Sequence, residues 1–391
     1  MEPDGRRTFS TPLHAAKAVA TPHPGVDRCI LMLSASTTVH APAGASVPSD
    51  DEVVLLYEWG THRVHVLPSP PVQAWYVGTA TTCEVQLTGA GISPRHAELV
   101  HRRGQWRIRG LDSTTELRQD GEPRKEFVLT PGVEVGIGTT TLIAASQRTI
   151  ALREFCARIL GWGTDREQAV AHALRALRLA AARRSMLVLQ GAEDLVPLAY
   201  ALHRRVLGPD APFVVCDRRR GDLPASVRSP ANQGSGVAAF DVAVGGSLCV
   251  RSRRLPHDLP ELLRLLDRPD SRVQFIVCTT SRAGIRLFTV PMPIEVPPLG
   301  IREIELPRII QAYADEAIAT LGAPVSCFSE DDQAWLIRHD ARSLSDIEKA
   351  TLRVVALRMT DNVHQAARML GMAPVSLSRW FGRRMPLPRL G

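Results

Sequence analysis

The sequence predicts a multidomain chain: an N-terminal all-β sandwich, a central α/β region with a helical lid, and a C-terminal all-α tail. Three observations predict it. Residues 51–146 fall into short alternating or apolar runs separated by Gly, Pro, Asp and Ser, the pattern of a β-sandwich. Over 147–343 short β-type runs alternate with helical segments, the pattern of a parallel sheet flanked by helices. From 344 onward the apolar period is helical and the charge is basic, with seven arginines and one aspartate over 351–391.

Each element follows in order. Residues 1–50 are rich in Ala, Pro, Ser and Thr with weak periodicity, which predicts a largely disordered segment. The sandwich strands are read in VVLLYEW, HRVHVL, WYVG, CEVQL, AELVH, WRIRGL, EFVL, VEVGIG and TTLIA. From Thr149 the period turns helical, and DREQAVAHALRALRLAAARRS is dense in good helix formers. Then MLVLQG, PFVVCD, SLCVRS and VQFIVCTT read as strands, with LVPLAYALHRRVL and LPELLRLLDR as helices between them. The remainder is nearly all helix, broken near 322–329, 340–343, Asp361 and Met372.

Composition narrows the class. Hydrophobic residues make up 45% and charged residues 22%, so a packed globular chain is expected rather than a disordered one. No apolar run approaches the roughly 20 residues that span a bilayer, and residues 1–7 lead into no signal-peptide core, so a cytoplasmic protein without a membrane partner is expected. The seven cysteines are scattered with no CxxC pair, which predicts neither a disulfide framework nor a zinc site. The net charge of +7 gathers toward the C-terminus. It is either a solvated basic tail or a polyanion-binding surface.

The run from Val77 to Leu117 resembles a forkhead-associated (FHA) domain. The strongest match is Ser93-Pro94-Arg95-His96, the family's Ser-x-x-His, followed by a strand, a Gly turn, Trp106 and the segment Leu111 to Thr114. The resemblance implies that this end binds phosphothreonine peptides. Ser93 would hydrogen-bond a phosphate oxygen, Arg95 would add a charged contact, Thr114 would also belong to the phosphopeptide site, and His96 would brace the loop from inside. Two positions depart from the pattern. The phosphate-gripping arginine after Gly78 is Thr79, and the peptide-holding asparagine is Thr115. A sandwich used only for packing, with His96 a satisfied core histidine, is the alternative.

From Met186 to Met385 the chain resembles a sigma-54-dependent transcriptional activator: an AAA+ core, then a Fis-type helix-turn-helix. The frame is present but the groups that handle ATP are not. The phosphate loop would be Gly191-Ala192-Glu193-Asp194-Leu195-Val196-Pro197, where the family's glycine and lysine become Val196 and Pro197. The family's paired carboxylates after Gly-Gly-Thr-Leu become Arg251 and Ser252, and an arginine cannot ligate Mg²⁺. The sensor asparagine is Thr280, the lid sensor arginine is Ser345, and of the Pro-Pro-Leu-Arg-Glu-Arg pattern only Arg302 keeps its charge. The sigma-contacting Gly-Ala-Phe-Thr-Gly-Ala loop is absent, and Gly234 to Phe240 is not a substitute for it. The resemblance therefore implies a pseudo-ATPase, with no catalytic residue, cofactor or metal site.

Residues 344–391 carry the helix-turn-helix marks: Asn362, Ala366-Ala367, Leu370-Gly371, and Leu377 with Trp380. Ser376, Arg379 and Arg383 fall at i, i+3 and i+7 on the third helix. Arg379 suits guanine edges, while Arg383 and Arg384 suit phosphates. The leading expectation is a non-catalytic DNA-binding transcription regulator with FHA-like signal input. Its partners would be DNA and a phosphothreonine protein or Ser/Thr kinase target, and it would pair as a homodimer or co-assemble with intact activator subunits. A phosphothreonine-linked signalling scaffold that does not bind DNA is the alternative, followed by an active sigma-54 activator ATPase.

Overall fold

In the computed structural model the described residues are 51–61, 63–69, 74–111, 116–226, 229–281, 292–360 and 362–384. All belong to one compact unit, Val47–Gly391. The segment expected to be disordered, 1–50, and the expected turn residue Asp361 lie outside them.

Two sheets form the sandwich. One runs in the order β2 (Val64–Val66), β1 (Val53–Glu58), β11 (Thr140–Ser146), β10 (Glu134–Ile137), β7 (Leu117–Gln119), β8 (Glu122–Arg124). The other runs β4 (Val85–Gln86), β3 (Trp75–Gly78), β5 (Ala97–Arg102), β6 (Gln105–Gly110), β9 (Glu126–Val128). Alternation places Leu56, Val77, Leu99, Ile108, Leu117, Val135 and Leu142 between the sheets, all fully buried. The nine expected strands are present. The hairpin β7–β8 was not expected. Its β8 is exposed throughout, so it carries no apolar alternation. The available signal was Asp120–Gly121, both at positive φ (50° and 93°), a Asp-Gly hairpin turn.

The sandwich runs into helix without a loop. Ser146 ends β11 and caps α1 (Gln147–Leu160), with Thr149 returning the bond to the Ser146 amide at 2.6 Å. Helix α2 (Glu167–Arg183) lies beside it. Arg175 grips Glu134 bidentately, and Arg178 bonds both oxygens of Asp120 (2.8 and 3.2 Å), so two ion pairs tie α2 to the sandwich.

A six-stranded parallel sheet follows: β14 (Ala231–Gln233), β13 (Phe213–Cys216), β15 (Ser247–Arg251), β16 (Gln274–Thr279), β12 (Leu187–Gln190), β17 (Ile294–Glu295). Helices α3 (Val196–Leu207), α4 (Gly236–Val242) and α5 (Leu259–Leu266) connect its strands. Strands buried on both faces read as continuous apolar runs, which made β12, β13, β15 and β16 visible in the sequence. β14 and β17 are short edge strands without such a run. The chain leaves β12 toward one side of the sheet and returns on the other with β17, so β12 borders the topological switch point.

The helical region comprises α6 (Leu306–Leu321), α7 (Glu330–His339), α8 (Leu344–Arg358), α9 (Val363–Met369) and α10 (Pro374–Gly382). One apolar cluster runs unbroken from Phe155 through Ile309 and Ile347 to Ala366, Leu377 and Trp380. Helix α8 thus shares one core with α6 and α7 on one side and with α9 and α10 on the other. An ion pair between the fully buried Asp332 and the partly buried Arg358 locks α7 to α8. No helix among the described residues is long and apolar enough to cross a membrane.

Candidate functional site

In open α/β sheets ligands bind past the carboxyl ends of the strands at the switch point. Here that crevice holds the chain's own charges. Gly191 follows β12, fixed by its amide bond to the Thr279 carbonyl (3.0 Å). Asp194 projects from the same loop toward β15. Arg251, the last residue of β15, donates through Nε and Nη2 to both Asp194 oxygens (3.1 and 2.8 Å), and through Nη1 to Asp217 Oδ2 (3.3 Å). Arg254 donates to the same Asp217 oxygen at 2.9 Å. Asp217 follows β13 and is fully buried.

The electrostatics match the geometry. Burial pushes the Asp194 carboxyl up, but the hydrogen bonds and charge of Arg251 outweigh it and hold the group below the ordinary carboxylate range. Burial likewise raises Asp217, and the Arg219 amide with Arg254 and Arg251 brings it below. Glu193 behaves oppositely. Burial raises its pKa, against a single amide bond from Leu344 at the start of α8 (3.3 Å). That bond joins the loop to α8. What remains between them is a cavity of about 20 Å³, bordered by Glu193, Asp194, Pro197, Leu344 and Ser345, room for about one water.

The sequence-predicted positions meet here in part. Pro197 and Ser345 border the small cavity, and Arg251 bonds Asp194, another of its lining residues. Ser252 donates to Thr279 Oγ1 (3.0 Å), while Thr280 is exposed beyond the strand. Arg302 is buried elsewhere, where it donates to the Ile159 and Arg158 carbonyls (2.6 and 2.9 Å) and closes the C-terminus of α1. At Gly234 to Phe240 stands β14's end and the short α4, capped by Ser235 and by Asp258. Burial raises Asp258, but the Val237 and Gly236 amides and the Ser235 hydroxyl pull it down to about 2. Asp217, Arg254 and Asp258 were missed by sequence reasoning. An acid after a strand carries no signal of its partner.

At the loop end of the sandwich, Ser93 and Arg95 stand together. Thr79 and Ala80 amides bond the Ser93 and Pro94 carbonyls (3.1 and 3.0 Å), and Cys83 donates to Pro94 (3.2 Å). A Cβ on Gly78 would lie 2.2 Å from the Pro94 oxygen, so only glycine lets the two loops meet. His96 is buried, accepts from the Ser93 amide at 3.3 Å and bonds the Glu116 carbonyl at 3.4 Å. Arg95 is exposed with its guanidinium 4.4 Å above the Tyr76 ring. It has no carboxylate partner among the described residues. Thr114 and Thr115 lie outside the described residues.

Ser376 and Arg379 on α10, and Arg383 just past its end, are exposed, and the two arginines make no ion pair among the described residues. Asn362 caps α9 through the Gln365 amide (2.8 Å). Gly371, at φ 57°, makes the turn to α10. Arg384 does not stand with its neighbours. It bonds both oxygens of Asp340 and the Trp380 carbonyl (2.7 Å) and stacks on the Trp380 ring. Its charge is spent on holding α10 to the end of α7.

Residues 60–148 match the profile of a family described as the inner membrane component of the type III secretion system, cytoplasmic domain. No curated protein matches the chain. Among solved structures, the chain is similar to the FHA domain of the CT664 protein of Chlamydia trachomatis, with 21% identity over 24% of this chain and 95% of that one, TM-score 0.22. It is also similar to the second FHA domain of a Mycobacterium tuberculosis ABC transporter, with 27% identity, 20% of this chain and 71% of that one, TM-score 0.18. A third is M. tuberculosis EmbR in complex with a low-affinity phosphopeptide, with 21% identity, 24% of either chain and TM-score 0.22. The N-terminal region is a β-sandwich of two sheets. The matches do not bear on the parallel sheet or the C-terminal helices.

Proposed function

We propose that this protein is a non-catalytic signalling regulator that acts by contact. Its sandwich takes a phosphothreonine peptide, its α/β region is a pseudo-ATPase core, and α10 presents a DNA-binding face. One observation carries the reading. Arg251 bridges Asp194 and Asp217 across the switch-point crevice, where a triphosphate and its metal would need the opposite charges. In the AAA+ family that the sequence resembles, the loop carries a lysine and the strand end carries acids. Here the loop carries acids and the strand end an arginine, and the swapped pair closes on itself. The strand order β17-β12-β16-β15-β13 supports the resemblance, as does Ser345 facing the loop at the sensor position.

For input, Ser93 and Arg95 offer a hydroxyl and a guanidinium on one loop, the pair a dianionic phosphate requires. For output, Ser376, Arg379 and Arg383 form an exposed face on a helix held by a Gly371 turn. Continuity of the apolar core through α8 favours a second arrangement in which the tail is a packed part of the core and the protein is a phosphothreonine-linked adaptor. Genome-wide occupancy of the Arg379→Ala/Arg383→Ala double variant decides between them. Deleting the tail would open the core and is not a clean test. Lost occupancy with unchanged protein level supports DNA output. Absence of occupancy in the parent protein gives the adaptor reading.

A further inference from the structure

We propose a binding site for a small amphipathic anion, an apolar body bearing one carboxylate, in the cavity between the sandwich and helices α1 and α2. The cavity measures about 420 Å³, within the range of small-molecule sites of about 300–1,000 Å³. Tyr57 and Ile143 of the sandwich and Leu152 and Leu174 of the two helices line it. They are half-buried rather than buried because their apolar faces open onto it.

Charge complementarity names the occupant. Five arginines border the cavity against two carboxylates, Asp51 and Glu134. Four of the five are committed. Arg175 holds Glu134, Arg178 holds Asp120, Arg205 holds Glu316, and Arg148 donates to the Arg205 and Val206 carbonyls. Arg153 has no carboxylate partner among the described residues. It lies with its guanidinium 4.9 Å over the Tyr57 ring, at the cavity wall. An anionic head there would meet an unspent cation while its tail covers the aromatic and aliphatic walls. The site lies on the seam fixed by the Arg175 and Arg178 ion pairs, so its occupant touches the sandwich and the helices together.

Octanoate and 1-octanol are the probes, titrated calorimetrically into the full chain. The parent protein should bind octanoate at least about tenfold more tightly than octanol, the contribution of one charge-assisted contact. Arg153→Met, which keeps the apolar stem, should remove that preference and leave octanol binding unchanged. Leu174→Trp, which fills the cavity, should abolish both. Equal binding of the two probes, octanoate binding that survives Arg153→Met, or no binding of either to the parent protein overturns the proposal.

Discussion

Replacing Arg251 with methionine removes the cation from the crevice and keeps most of its length. Three charge-assisted hydrogen bonds are lost, two to Asp194 and one to Asp217. Each is worth about 1.5–3 kcal/mol where both groups are dry. The Asp194 side chain is 54% exposed and rehydrates, so its share is heavily discounted. The Asp217 side chain is 1% exposed but keeps Arg254, so it is weakened rather than orphaned. The sum is a loss of about 2 kcal/mol, read as a lower urea midpoint with unchanged slope. Arg253→Met, on the exposed neighbour, should cost under about 0.5 kcal/mol. The pH dependence has a definite sign. Asp194 is held below its unfolded value, so its contribution is present above that value and is lost as pH falls through the folded one. The penalty of Arg251→Met is therefore full at neutral pH and shrinks as the pH falls below the ordinary carboxylate value and through the lower folded one. A neutral or stabilising Arg251→Met, or a penalty that grows in acid, would refute the reasoning.

Arg95→Ala and Ser93→Ala should each weaken a phosphothreonine peptide by about ten- to a hundredfold in fluorescence anisotropy, with no effect on the unphosphorylated peptide. Arg383→Ala should lower the salt dependence of DNA affinity by about one unit of slope in a gel-shift series. Arg384→Ala should instead lower the melting temperature, because Asp340 loses its partner. Asp258→Ala should cost about 2 kcal/mol at neutral pH, the equivalent of holding that carboxyl near 2 rather than 3.8. The same stability is lost in the parent protein as pH falls through that window.

Much of the architecture was legible because burial on two faces and alternation on one leave different patterns. The inward residues of β1, β5 and β6, and the apolar runs of β12, β15 and β16, are of these kinds. Short edges escaped: β8 has no buried residue and β17 has two residues. Helices α8, α9 and α10 were legible through Asn362, Gly371 and Pro374. At the site, Arg251 in place of an acid was visible as a loss. That it pairs with Asp194, 57 residues earlier, was not, since pairing across a parallel sheet depends on strand order. The commitment of Arg384 to Asp340 was hidden as well, because it depends on how α10 packs against the end of α7. A one-dimensional row of arginines does not say which of them already has a carboxylate.

Calorimetric titration of magnesium-ATP into the full chain is the most direct measurement. With Asp194 and Arg251 joined and room for about one water beside Glu193, no saturable heat should appear at any ordinary nucleotide concentration. A magnesium-dependent isotherm with one site per chain would contradict the account.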